Sequence, residues 1–413
     1  MESTVDIAKL SAELEHLATF TDAPPPAVTR VMLSDTDLAA REYLMRLMEE
    51  AGLTVRIDAA GNLFARWSGT DPHLPAVATG SHTDAIPHSG RYDGTVGVLG
   101  GLEAIRSLKR SGHLPRRAIE LVMFTAEEPT RYGVGCLGSR LMSGAITGRK
   151  AEKLVDGDGV SFGDFHKRAG GAGTLEEVRL PRKHFRAFVE LHIEQGPRLE
   201  ASETPIGIVT AIAAPASLRV TYVGAGGHAG AVLMADRRDA LLPAAELAVA
   251  VDSTARNLGT TDTVATTGVL DVHPRAVNSI PSRTYLEIDV RDVNESRRNN
   301  VLDVIRHQAQ AIGDRHRQET TVETINADAP ATCDPQIVKV IEAAADEAQL
   351  TSSRMISRAY HDSLFMAQVC PTGMIFIPCR EGLSHCPEEY ASPLDIARGV
   401  QVLAATLARL SSE

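Results

Sequence analysis

Apolar positions along the chain fall into two textures. Through the first two hundred residues, short unbroken apolar runs alternate with segments of helical spacing. Asp6–Ala18 and Thr36–Ala51 carry the spacing of amphipathic helices, the second with Ser34 or Asp35 placed as N-cap. Leu53–Ile57 and Leu63–Trp67 predict short strands around the turn Ala60-Gly61-Asn62. Pro75–Thr79, Ala118–Phe124 and Phe185–Leu191 read as buried strands and Leu99–Arg110 as a helix. Arg149–Lys183 is charged and contains Gly170-Gly171-Ala172-Gly173, which predicts helices and loops over the surface.

After Gly207 the texture changes. Ser217–Val223 alternates like a half-exposed strand, and Arg238–Leu258 reads as a long helix. Val264–Val272 and Tyr285–Arg291 are strands, Glu295–Asp314 a helix and Thr320–Ile325 a last strand. That β-α-β-β-α-β order is a ferredoxin-like pattern. The first texture returns with a helix at Pro335–Ala348, a strand at Gly373–Ile377 and a C-terminal helix at Pro393–Leu410. The prediction is an α/β protein whose catalytic domain is discontinuous, residues 1–212 and 329–413, interrupted by a smaller inserted domain, residues 213–328.

The 413 residues are too many for one small core, in keeping with two or three domains. A hydrophobic content of 43% and a charged content of 23% are ordinary for a globular protein. The formal net charge of −11 argues against a nucleic-acid partner held by phosphate contacts. Met1–Asp22 lacks the uninterrupted apolar core of a secretory signal, and no apolar run is long enough to span a membrane. The five cysteines, Cys136, Cys333, Cys370, Cys379 and Cys386, form no CxxC pair and suit reduced thiols. A cytoplasmic protein is expected.

The candidate chemistry begins in Gly80–Val98, between a buried strand and a helix, where open α/β sheets place their ligands. Imidazole and carboxylate together suit a divalent transition metal. In that reading His82 binds an ion, Asp84 holds its ring, and Asp93 offers a carboxylate wide enough to bridge two ions. Other strand ends carry Glu128, His192 and His385, so that three imidazoles and two carboxylates stand at separate strand ends. Glu127, beside Glu128, can stay free and act as a general base. The plainer alternatives are a satisfied core histidine at His192 or His385, and a solvated acidic pair opening a helix at Glu127-Glu128.

These segments resemble the dinuclear amidohydrolases and peptidases of the M20 type, in the hydantoinase/carbamoylase branch, over almost the whole chain. The resemblance implies a dinuclear-metallohydrolase catalytic domain with an inserted ferredoxin-like lid and dimerisation domain, and hence a homodimer. It implies that His82 and His192 serve one ion and Glu128 and His385 the other, with Asp93 shared. The ions would be manganese by resemblance, and the donor set equally admits zinc, cobalt or nickel. In His192-Ile193-Glu194-Gln195-Gly196-Pro197 it implies a substrate-side Gln195. Gly226-Gly227-His228-Ala229-Gly230 resembles the segment whose histidine polarises the scissile carbonyl, across the dimer interface. Asn278 and Arg291 resemble the pair that holds a substrate carboxylate, for which arginine offers a bidentate fork; a strand-end salt bridge is the plainer reading of Arg291.

Within the branch, Arg358-Ala359-Tyr360 before His361-Asp362 replaces the Gly-Ala-Gly that many carbamoylases and allantoate hydrolases carry there. Together with Thr83-Asp84-Ala85-Ile86-Pro87 and Glu127-Glu128-Pro129-Thr130-Arg131-Tyr132, this resembles the members that hydrolyse ureidoglycolate. Tyr360 puts a ring and a hydroxyl where glycine leaves room, and with His361 is expected to contact a small ureide bearing an α-hydroxyl. The implied reaction is hydrolysis of the ureido C–N bond by a dimetal-activated water, with Glu127 as base and His228 as oxyanion donor. Allantoate or an N-carbamoyl-L-amino acid is the alternative substrate, and a metal-binding scaffold that has lost catalysis the alternative class.

Overall fold

The computed structural model describes residues 5–413. The chain divides into two compact units. One holds residues 1–210, 332–357 and 361–413; the other holds residues 211–331 together with 358–360.

The first unit is built on strands β1 (Thr54–Ile57), β2 (Leu63–Trp67), β3 (Val77–His82), β4 (Ile119–Phe124), β5 (Ala187–Ile193), β6 (Ile206–Ile212), β7 (Ser352–Ser357) and β8 (Thr372–Ile377). They run in the order β6-β8-β5-β3-β4-β2-β1, with the short strand Ala331–Thr332 beyond β6 and β7 also paired to β6. The four central strands, β8, β5, β3 and β4, are parallel, and the flanking pairs are antiparallel. Every residue of those four strands is buried. Parallel strands covered on both faces need such continuous apolar runs, which is why their sequences do not alternate.

The helix Thr95–Arg110 begins a turn earlier than the apolar spacing predicts. Gly97 and Gly101 hide its start in the sequence and bring it close to the sheet in space. A Cβ on Gly97 would lie 2.5 Å from the Leu191 carbonyl, and one on Gly101 2.8 Å from Leu121. The C-terminal helix Pro393–Ser412 starts at Ser392, whose hydroxyl accepts from the Asp395 N–H, with proline in its first turn.

Gly80–Val98 is not one loop. β3 continues through His82, and Ala85–Ser89 forms a strand antiparallel to Val28–Arg30. Likewise β5 continues through His192. Both histidines therefore sit on strand backbone rather than in the loops beyond.

In the second unit the strands Ala214–Val223, Val264–His273, Arg283–Asp292 and Glu319–Ala327 form an antiparallel sheet. Arg283–Asp292 and Ala214–Val223 lie centrally, flanked by Val264–His273 and Glu319–Ala327. Helices Leu241–Leu258 and Glu295–Arg315 join the strands and pack on one face, over Leu218, Val220, Tyr222, Leu286 and Ile288. Burial alternates along Arg283–Asp292, the mark of a sheet covered on one side. Among the described residues no helix is long and apolar enough to cross a membrane.

Candidate functional site

The parallel strands bring their carboxyl ends together, and the side chains there converge. His82 closes β3, His192 lies one residue before the end of β5, Glu127 and Glu128 follow β4, and His385 follows β8. Asp93 stands among them. Its Oδ1 lies 3.4 Å from His82 Nε2 and 3.2 Å from His192 Nε2. Its Oδ2 lies 3.4 Å from His385 Nε2, which is itself 3.2 Å from Glu128 Oε1. The carboxylate thus faces two imidazoles with one oxygen and a third with the other.

Backbone carbonyls aim two of these rings. His82 Nδ1 is 3.0 Å from the Asp84 carbonyl, and His192 Nδ1 is 2.9 Å from that of Ile193. A carbonyl only accepts, so Nδ1 carries the hydrogen and Nε2 is left to coordinate. Gly94, at φ +64°, leaves room for the ring of His82; a Cβ there would lie 2.4 Å from Nε2. Asp84 is buried, and its two oxygens accept from the N–H groups of Glu127 and Glu128, 3.2 and 3.0 Å away. It fixes the loop that carries both glutamates.

Three loops of the site turn on non-glycine residues with left-handed backbone: Ala126 (φ +56°), Gln195 (φ +56°) and His385 (φ +58°). Such conformations cost about 1–3 kcal/mol each and persist where the surroundings impose them.

The donor set fits a pair of divalent cations. His82, Asp93 and His192 present donor atoms within 4.8 Å of one another, as do Asp93, Glu128 and His385. Burial opposes charge on His82, yet Glu127, Asp93 and Asp84 hold its imidazole well above the usual range. Hydrogen bonds to Asp93 and Glu128 push His385 up to about 11. Burial raises Asp84 to about 6, against the pull of His82. Burial, with Glu128, Asp362 and Asp93 adding to it, drives Glu127 well above the carboxylate range although His82 draws it down. So many buried carboxylates in one place call for positive charge.

Glu127 Oε2 lies 3.8 Å from His82 Nε2, and the Cys136 thiol donates to Oε1 at 3.5 Å. Gln195 donates its amide hydrogen to Asp93 Oδ2 at 2.6 Å, and among the described residues its buried amide oxygen has no hydrogen-bond partner. His361 is buried, its ring centroid 4.5 Å from that of His192 and its Nε2 3.0 Å from Ser357 Oγ.

The second unit gathers His228, Asn278, Arg291 and Tyr360 in two places. Gly227–His228 pairs with Ser279–Ile280, and the Ala229 N–H donates to the Asn278 carbonyl at 2.9 Å, so His228 and Asn278 are neighbours. His228 Nδ1 accepts from the Gly230 N–H at 3.1 Å, which leaves its hydrogen on Nε2. Arg291 pairs with Asp289 through Nε and Nη2, 3.0 and 2.8 Å from Oδ2, and its guanidinium carbon is 5.9 Å from the Tyr360 ring centroid. The strand-end salt bridge is therefore present, and Tyr360 stands beside it.

Four further residues, Cys136, Asp362, Ser384 and Glu389, belong to the surroundings of these side chains without being marked as site residues by the sequence. Ser384 and Glu389 both touch the Asp93 segment. Their signal was faint: a serine next to His385, and an acidic pair, Glu388-Glu389, that resembles any solvated loop.

Residues 78–409 match Peptidase family M20/M25/M40. Over 415 residues the chain is 54% identical to the ureidoglycolate hydrolase of Arabidopsis thaliana, covering 99% of this chain and 87% of that protein. It is 37% identical over 396 residues to an N-carbamoyl-L-amino-acid amidohydrolase of Paenarthrobacter aurescens, covering 96% of each. Crystal structures of AtUAH in complex with glyoxylate and with (S)-hydroxyglycine share the fold, each with a TM-score of 0.92 at 53% identity over 99% of both chains. A family match over most of the chain, and these near relatives along nearly all of it, make the protein a member of Peptidase family M20/M25/M40.

Proposed function

We propose that this protein hydrolyses ureidoglycolate, releasing ammonia and carbon dioxide and leaving α-hydroxyglycine, which loses ammonia to give glyoxylate. The observation that carries the reading is Asp93, with one oxygen facing His82 and His192 and the other facing His385 beside Glu128. Identity of 54% to a ureidoglycolate hydrolase supports the substrate. The ligand (S)-hydroxyglycine in one AtUAH structure supports the intermediate.

In this reading His82 and His192 would hold one divalent ion and Glu128 and His385 a second, with Asp93 available to both; manganese is proposed, with zinc, cobalt or nickel as alternatives. Such a pair, when bound, would supply the positive charge that acidifies a water and polarises the ureido carbonyl. Glu127 takes the proton of the attacking water and returns it to the leaving nitrogen. Its place suits the task, because its carboxylate is buried with Oε2 3.8 Å from His82 Nε2. Asp84 keeps the Glu127-Glu128 backbone in place. His228 donates its Nε2 hydrogen to the oxygen that gains charge as the carbonyl is attacked. Arg291 and Asn278 bind the substrate carboxylate, for which Arg291 exchanges part of its contact with Asp289. Tyr360, His361 and the unpartnered amide oxygen of Gln195 serve the remaining polar atoms.

The β-α-β-β-α-β unit is proposed as an inserted ferredoxin-like lid and dimerisation domain, residues 213–328, so that the active form is a homodimer. Its strand order, with the first and third strands central, supports the ferredoxin-like assignment.

The test is glyoxylate release from ureidoglycolate by manganese-loaded protein, with allantoate and an N-carbamoyl-L-amino acid run in parallel. Turnover of ureidoglycolate well above both is expected. Brisk turnover of allantoate with none of ureidoglycolate would overturn the substrate assignment.

A further inference from the structure

Glu389 takes no part in the chemistry above, yet it is almost fully buried. Its Oε1 accepts from two successive N–H groups, Tyr92 at 2.7 Å and Asp93 at 3.1 Å. Its Oε2 lies 2.8 Å from Ser384 Oγ, and that hydroxyl is also 2.7 Å from Asp93 Oδ2. Gly90 makes room for it: a Cβ there would lie 2.3 Å from the Glu389 carboxyl carbon. One carboxylate thus grips the backbone of Asp93 and, through Ser384, both the Asp93 side chain and the loop of His385. These segments lie 291 residues apart in the chain.

We propose that Glu389 is a positioning residue that aims Asp93 Oδ2 and the His385 loop, and that the Glu128–His385 side of the centre depends on it more than the His82–His192 side. The asymmetry follows from how each side is braced. His82 and His192 stand on strand backbone, with rings fixed by the carbonyls of Asp84 and Ile193. His385 is an exposed residue on a left-handed turn, and its neighbour Ser384 ties that turn to Asp93. The inference rests on the proposed reading that these residues hold two ions.

Hydrogen counting separates the side chain's shape from its mere presence. Ser384 has one hydroxyl hydrogen and two carboxylate neighbours. Glutamine at position 389 would still accept from both N–H groups and would offer an N–H to Ser384, freeing the hydroxyl hydrogen for Asp93. Alanine offers neither contact.

The experiment is a titration of chelator-stripped full-length protein with manganese(II) alone. Free ion is counted by electron paramagnetic resonance, and a thermal melt of each stripped variant checks folding. Wild type is expected to take up two ions. Glu389→Ala should weaken one of the two by about 10–100-fold while the other changes by less than about 3-fold, and Glu389→Gln should keep both near wild type. Ser384→Ala, which cuts the link to Oδ2 without emptying the carboxylate's place, should weaken the same single ion, and it decides the matter if Glu389→Ala does not fold. Two ions bound at wild-type strength by folded Glu389→Ala, or by Ser384→Ala, would overturn the role of Glu389 alone. Failure of wild type to bind a second ion would overturn the two-ion reading and this inference with it.

Discussion

The candidate site residues of the two units stand in opposite settings. At the carboxyl ends of the parallel strands, His82, Asp84, Asp93, Glu127, Glu128 and His192 are buried. Most are held by another member or by a nearby carbonyl. In the second unit His228 and Asn278 are exposed, and His228 is braced chiefly by its own turn. Buried polar groups without partners are costly, so the first group can exist only as a completed network. The exposed group bears no such demand and is free to be organised by a ligand. In the proposed reading, the first unit would hold charge before substrate arrives and the second would respond to it.

The sharpest way to break this contrast is Asp93→Ala. It removes the oxygen facing each histidine group at once, so manganese uptake and ureidoglycolate turnover should both fall below detection in a chain that still folds. Retention of two tightly bound ions would show that Asp93 is not shared. Glu127→Gln comes next. It should lower kcat by about 10²–10⁴-fold with manganese content unchanged, because it removes a proton acceptor and no ligand. Undiminished hydrolysis would remove Glu127 from the mechanism.

His228→Ala carries the contrast to the second unit. Loss of an oxyanion donor should cost about 10²–10³-fold in kcat, with ion binding and thermal stability near wild type. A fall in ion content instead would make His228 part of the buried network. The smallest effect is expected at Tyr222→Phe. The Tyr222 hydroxyl donates to the Ala309 carbonyl at 3.0 Å inside the second unit's core. Its removal should lower unfolding free energy by about 1–2 kcal/mol in denaturant titration, with kcat unchanged.

Much of the first unit could be read from the chain because parallel strands buried on both faces leave plain apolar runs, and the site residues lie within a few positions of where those runs stop. The precise ends could not be read. Polar His82 and His192 still belong to strand backbone, and Gly97 and Gly101 conceal a helix start while enabling its packing. Ala85–Ser89 escaped notice because it is short, contains Pro87 and pairs only with a distant three-residue strand. Which residues meet around Asp93 followed from strand ends and family likeness. What steadies them did not, because Glu389 and Ser384 act across a separation that no local pattern records.

Ala126, Gln195 and His385 turn their backbones in the direction that glycine adopts freely and other residues resist. A glycine at each would relax the loop, and for that reason would also let it wander. Because other backbone conformations would suit these residues better, their pose has to be imposed by the packing around them, and the same packing sets where the neighbouring donors point.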